Sequence, residues 1–224
     1  MNEPSPEIHV LVRVWLPDRP GALGLVASRI GALGGDIVGV DVVEQGERVA
    51  IDEFAVIVPN DGRVDLMVRE IEQVDGAAVE EIRRVGTFPD PRLDALESAA
   101  ALCEADSVDA LHTVLTSHVH REFLADWVAL LRGDEALAIT GADVPDVAML
   151  VALAAGTTAS ALVADGVSGP EDLAVARLPD HGALVLVGRA GHVFRRRERA
   201  QLSMLARVAD HVWRLLGAAG GECA

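Results

Sequence analysis

The sequence predicts an α+β protein of two units. The first is a β-α-β-β-α-β unit on an antiparallel sheet; the second is a larger α/β/α unit on another antiparallel sheet. Three observations carry this. Over residues 8–86, alternating apolar runs and runs with three-and-four spacing follow one another in that order. "TFPDPR", residues 87–92, then places two prolines within three positions before a new helical pattern begins. The 224 residues exceed one ordinary domain of about 100 to 150, and half of them are hydrophobic, enough to fill two cores. The expected division is a first domain over 1–88, a linker over 89–92, a second domain over 93–217 and a tail over 218–224.

"EIHVLVRVW" alternates as a strand should, with Ile8, Val10, Val12 and Val14 on one face and His9, Leu11, Arg13 and Trp15 on the other. After the joint "LPDRPGAL", Leu23, Val26, Ile30 and Leu33 form the stripe of an amphipathic helix that Gly34-Gly35 stops, with Pro20 at or near its first position. "DIVGVDVVEQ" reads as a strand, "GE" as a tight turn and "RVAIDEFAVIVP" as the strand closing a hairpin. Val64, Met67, Val68 and Ile71 mark a second helix, and "AAVEEIRRV" a fourth strand. The unit is ferredoxin-like, with both helices on one sheet face and the other face free to pair with a second copy.

Its order and length, with the joint "LPDRPGAL" and "GGDIVGV" opening the second strand, resemble an ACT domain over about residues 8–86. ACT domains are small regulatory modules of amino-acid metabolism. The joint itself favours an anion: N–H groups of the first helical turn, around Gly21, Ala22 and Leu23, lack intrahelical partners and stand at the positive end of the dipole. Gly21 lets a ligand come close to the backbone, and Asp18 is placed to accept from a ligand ammonium. The resemblance implies Asp18 and Asp36 as polar contacts from a dimer-related pair of sites. Pro20, Gly21, Ala22 and Leu23 form the main-chain cradle, with Ile37 beside Asp36. Members that bind serine-like ligands tend to carry amides at the two aspartate positions and a histidine where this chain has Leu16. Two carboxylates favour an ammonium and disfavour a second anion, so an acidic amino acid is not expected. The same residues also admit a ligand-free reading, in which Asp18 caps the helix, Asp36 follows a Gly-Gly turn and the domain serves only to dimerise.

In the second half, Leu93, Leu96, Ala100 and Cys103 share one stripe, and Val108, Leu111 and Leu115 begin another. "FLADWVALLR", "EALAITGADVP", "EDLAVARLP" and "GALVLVGRA" supply strands. Val147 to Ala164 is uncharged and about as long as the shortest membrane helix. It is interrupted by Gly156-Thr157-Thr158, flanked by Asp146 and Asp165 and without aromatic or basic anchors. It reads as a buried helix, a turn and a buried strand. The last helix, from about Phe194 to Leu216, carries a seam of Leu205, Val208, Val212 and Leu215 that suits either its own sheet or a second copy. A helix, five or so strands with an inserted helix, and a closing helix resemble a GAF-like sensory domain over about 93–217, most closely in "GALVLVGRAGHVFRRRERAQLSMLARVADHVWRLL". The cyclic-nucleotide signature of that family is absent.

Composition excludes several functions. The formal net charge of −16 repels phosphate and anionic lipid, so neither nucleic acid nor membrane is an expected partner. No lysine occurs, which removes the Gly-Lys phosphate loop and Schiff-base chemistry. Two cysteines, Cys103 and Cys223, give no disulfide framework, and "MNEPSPE" has no secretory pattern, so a cytoplasmic location is expected. His118 and His120, with Glu122 and Asp126, would hold a metal only if extended, and they fall where a helix ends. Arg195, Arg196, Arg197 and Arg199 crowd a first helical turn that normally prefers acids, which Glu198 alone meets. Thr157, Thr158 and Ser160 have no base at recognisable spacing. No catalytic residue, cofactor or metal is therefore expected. The reading is a cytoplasmic, homodimeric regulator that binds a small amino acid, with a GAF-like module for dimerisation or signal transmission. The alternative is a ligand-free dimer that docks a partner enzyme or regulator.

Overall fold

The computed structural model of the chain describes residues 7–46, 48–158 and 172–221. The chain divides after Phe88 into two units, each with its own core.

The first unit runs β1 (Ile8–Pro17), α1 (Ala22–Ala32), β2 (Asp36–Gln45), β3 (Val49–Val58), α2 (Gly62–Ile71) and β4 (Ala78–Arg84). Its sheet has the order β2-β3-β1-β4, antiparallel throughout. Alternate residues of a strand share a face, so Val10, Val12, Val14 and Leu16 of β1 meet Phe54 and Val56 of β3. Val26 and Ile30 of α1 and Val64, Met67 and Ile71 of α2 close that core.

Two expectations for this unit change. Leu23 does not join the buried stripe of α1; Ala22, Val26 and Ile30 do, and Leu23 is exposed. The sheet face away from the helices is not simply open: Leu11 and Arg13 are buried there. Arg13 pairs in register with Glu53 of β3 and Glu81 of β4. Its guanidinium lies 2.7 Å from Glu53 and 4.0 Å from Glu81, while Arg83 also bridges both carboxylates. Opposite charges on directly facing strands stabilise one another, and here they replace apolar contacts at the centre of the face.

The second unit runs α3 (Pro91–Glu104), α4 (Val108–Glu122), β5 (Trp127–Arg132), β6 (Glu135–Gly141), α5 (Val147–Thr158), β7 (Leu173–Leu178), a single 3-10 turn (Pro179–His181), β8 (Ala183–Gly188) and α6 (Arg196–Gly221). Four antiparallel strands, in the order β6-β5-β8-β7, are present among the described residues, against the five or so expected. α3, α4 and α6 pack on one face, where Leu102, Leu111, Leu115, Val128, Leu130, Val185, Leu202 and Leu205 meet. On the other face Leu150 and Ala154 of α5 cover Ala129, Leu131, Val175 and Leu186.

The helices here depart from the sequence pattern in three ways, on α3 and twice on α5, while the α6 seam takes its own-sheet reading. On α3, Leu93, Leu96, Ala100 and Cys103 point outward, Leu96 being 69% exposed, and Ser98 and Leu102 are buried instead. Gly156 and Thr157 continue α5 rather than break it, and the Thr157 hydroxyl is satisfied within the helix by the Ala154 carbonyl at 2.7 Å. α5 is also half-buried, with Val147 and Met149 exposed. Of the α6 seam, Leu205, Val208 and Val212 pack on the chain's own core and only Leu215 is exposed. The strand expected after Thr158, with Ser160, lies outside the described residues, as does Cys223.

Candidate functional site

The joint between β1 and α1 is held by backbone bonds. The Asp18 N–H donates to the Arg48 carbonyl at 2.9 Å, Arg19 N–H to Pro17 at 2.8 Å and Ala22 N–H to Arg19 at 3.2 Å. Gly21 is the N-cap of α1 with φ of 88°, a left-handed conformation that glycine adopts without a Cβ penalty. Pro20 therefore precedes the cap rather than occupying the first helical position, and the Ala22 N–H, expected to be open to a ligand, is used within the turn. Asp18 does not cap α1, which has no side-chain cap; its carboxylate accepts from Gln45 Nε2 at 3.3 Å.

Beneath the joint lies a cavity of about 200 Å³, bounded by Leu16, Asp18, Ala22, Leu23, Val42, Gln45 and Asp52 among others. That is room for several waters at ~30 Å³ each. Of the residues expected at the site, Asp18, Ala22 and Leu23 line it, whereas Pro20 and Gly21 shape the turn above it. Asp36 and Ile37 open β2, paired with Ile57 and Val56, and Gln45 closes it, paired with Ala50. Nine strand steps of about 3.3 Å separate Asp36 from Gln45. One chain therefore does not bring Asp36 to Asp18, and Ile37 packs against the core.

Asp52 is the residue that sequence reasoning missed. It sits in register with Val14 and Val42, on the helix-covered side of β3, and is 4% exposed. Its Oδ1 has no hydrogen-bond partner among the described residues. Burial first, and the Asp18 charge second, hold its carboxyl above the usual carboxylate range. The signal was legible: in "VAIDEFAVIV" Asp52 is in phase with Phe54 and Val56, so an aspartate interrupts an apolar face.

The other candidates are engaged elsewhere. Ser98 donates to Glu122 at 2.7 Å and lies 3.1 Å from His118 Nδ1, and Gln201 donates to Glu122, so this group ties α3, α4 and α6 together. Burial outweighs those bonds and holds the Glu122 carboxyl up. Asp126 accepts from the Ala190 N–H at 2.7 Å. Among the described residues no three histidine, cysteine or acidic side chains converge on a metal position. Part of the arginine cluster is engaged within the fold. Arg199 is buried and donates to the Phe194 carbonyl. Glu198 accepts from the Arg195 N–H at 2.8 Å and from buried Arg189 at 2.9 Å, supplying the acid the helix start needs. Among the described residues no helix is long and apolar enough to cross a membrane.

No curated protein matches the chain. Among solved structures, the chain is similar to the ACT domain from GTP pyrophosphokinase of Chlorobium tepidum. The two share 12% identity, covering 38% of this chain and 92% of that one, with a TM-score of 0.30. The family model of the ACT domain matches residues 10–76, the stretch from β1 through α2 that contains the joint and its cavity. Residues 10–76 are an ACT domain.

Proposed function

We propose that the protein is a non-catalytic cytoplasmic regulator whose ACT domain binds a small amino acid at the β1–α1 joint. A second copy supplies Asp36, and a GAF-like second unit transmits occupancy to a partner enzyme or regulator. The observation that carries this reading is the cavity itself. It opens where α1 starts and holds two carboxylates, Asp18 and Asp52, against apolar walls from Leu16, Ala22 and Val42. A ligand that completes the site only in one pairing of the two copies shifts the population toward that pairing.

The test is thermal unfolding of the full chain with each of the twenty amino acids at millimolar concentration, beside an Asp18→Ala/Asp36→Ala variant. A ligand at about 100 times its Kd, bound only to the folded state, adds about 2.7 kcal/mol. A rise for one or a few related amino acids, lost in the variant, is the expected result. A second reading, a ligand-free dimer that docks a partner, draws support from the outward stripe of Leu93 and Leu96 on α3. No rise with any amino acid would favour it.

A further inference from the structure

We infer that Asp52 is the ammonium-binding group of the β1–α1 cavity, which makes the site selective for a ligand with a free primary ammonium and no second anionic group. This rests on the amino-acid reading for the ligand's remaining parts, but not for its charge.

Asp52 is almost fully buried, and its Oδ1 finds no hydrogen-bond donor among the described residues. A buried carboxylate left in that condition costs stability unless something pairs with it. The neighbouring side chains do not supply the pairing. Leu16, Ala22 and Val42 are apolar, and the charge that acts on Asp52 is a second carboxylate, Asp18. Arg19 is the one cation among the lining residues, and its guanidinium lies on Asp75, 3.6 Å from the carboxylate and 3.3 Å from the backbone carbonyl. The chain has no lysine to offer.

An ammonium brings three N–H donors and a positive charge, and an ionised carboxylate only accepts. Placed between Asp52 on the floor and Asp18 at the mouth, it answers both carboxylates at once. The Gln45 amide, already bonded to Asp18, fixes the mouth. The rest of the ligand then meets the start of α1, where the first-turn N–H groups beyond Ala22 suit a carboxylate. Its side chain meets apolar walls, which call for a small apolar group. A second anion would face the two aspartates.

The experiment is calorimetric titration of the full chain with the twenty amino acids, the N-acetyl and amide forms of each, and ethylamine, repeated on Asp52→Asn. Asparagine keeps the shape and removes the charge, and unliganded thermal unfolding reports that the variant folds. The expected result is binding of a free-amine ligand that falls about 10- to 100-fold on N-acetylation and by a similar factor in Asp52→Asn, the loss of one charge-assisted bond. The amide should keep most of the ammonium contribution. If an amino acid binds and Asp52→Asn does not weaken it, whatever N-acetylation does, the inference is overturned and the amino-acid reading stands. Binding of ethylamine or the amides alone, lost in Asp52→Asn, leaves the inference standing and overturns the amino-acid reading. Binding of none of these probes overturns both.

Discussion

Arg13 and Glu53 face each other across β1 and β3 at 2.7 Å, with the arginine side chain 3% exposed. This pair, with Glu81 and Arg83, occupies the centre of a sheet face that alternation alone would leave to apolar contacts. Removing one member of a buried pair strands the other charge, at a cost of about 3 to 5 kcal/mol. Arg13→Leu is therefore expected to destabilise the ACT domain in urea unfolding, by less than that full amount because Arg83 still bridges Glu53 and Glu81. Arg13→Leu/Glu53→Leu should recover most of the loss, because a well-packed apolar replacement is often neutral. A double variant no more stable than the single one would show that packing, rather than stranded charge, sets the cost.

Asp52 carries the opposite sign of effect. Its folded-state pKa lies above the unfolded value of 3.8. The unfolded chain therefore releases this proton first, and ionising Asp52 penalises the folded state as pH rises past that value. Asp52→Asn should raise the melting temperature at neutral pH, because the amide is buried without the cost of desolvating a charge. The gain should vanish below pH 3.8. Calorimetry across pH checks both parts, and a neutral-pH loss would mean that Asp52 has a stabilising partner.

How far this was legible in the sequence depends on what each residue faces. The order of elements in the ACT domain follows from strand alternation and helix spacing, and the joint was recognisable from Asp18-Arg19-Pro20-Gly21. The cavity was not, because Gln45 and Asp52 reach it through hairpin register and not through proximity to the joint. Alternation also could not place Leu11 and Arg13, since a buried ion network makes the second face of β1 as closed as the first. On α3 the apolar stripe of Leu93, Leu96, Ala100 and Cys103 was read inward. The helix instead turns Ser98 to the core, where Glu122 and His118 meet its hydroxyl. A small hydroxyl satisfied by partners 20 and more residues away leaves no periodic signal.

Gly188, at the end of β8, gives a sharp packing prediction for the second unit. It pairs in register with Trp127, and a Cβ there would collide with the Trp127 indole. Gly188→Ala should destabilise the second unit by more than the usual 1 to 3 kcal/mol of overpacking, because the obstacle is a buried ring in a sheet. Trp127→Ala/Gly188→Ala should remove the clash, though it leaves a cavity of its own. Non-additive losses in denaturant unfolding, smaller for the pair than the sum, are the expected outcome.

His112 on α4 makes the second unit sensitive to acid. Its ring is 5% exposed and meets Trp213 edge-on at 4.2 Å, and its Nε2 has no hydrogen-bond partner among the described residues. Burial is the main cause that lowers its pKa below 6.5. Asp109 pulls it upward, and Arg132 and His181 push it further down. Below pH 6.5 the unfolded chain therefore takes up a proton that the folded chain refuses. Stability from the neutral ring is complete above that value and is lost as pH falls through the window beneath it. One such group contributes at most about 1.4 kcal/mol per pH unit. His112→Phe keeps a ring against Trp213 and has nothing to protonate, so its stability should decline less steeply below pH 6.5. Trp15→Phe in both proteins leaves Trp127 and Trp213 to report on the second unit by fluorescence. An equal decline with and without His112 would assign the acid sensitivity to another group.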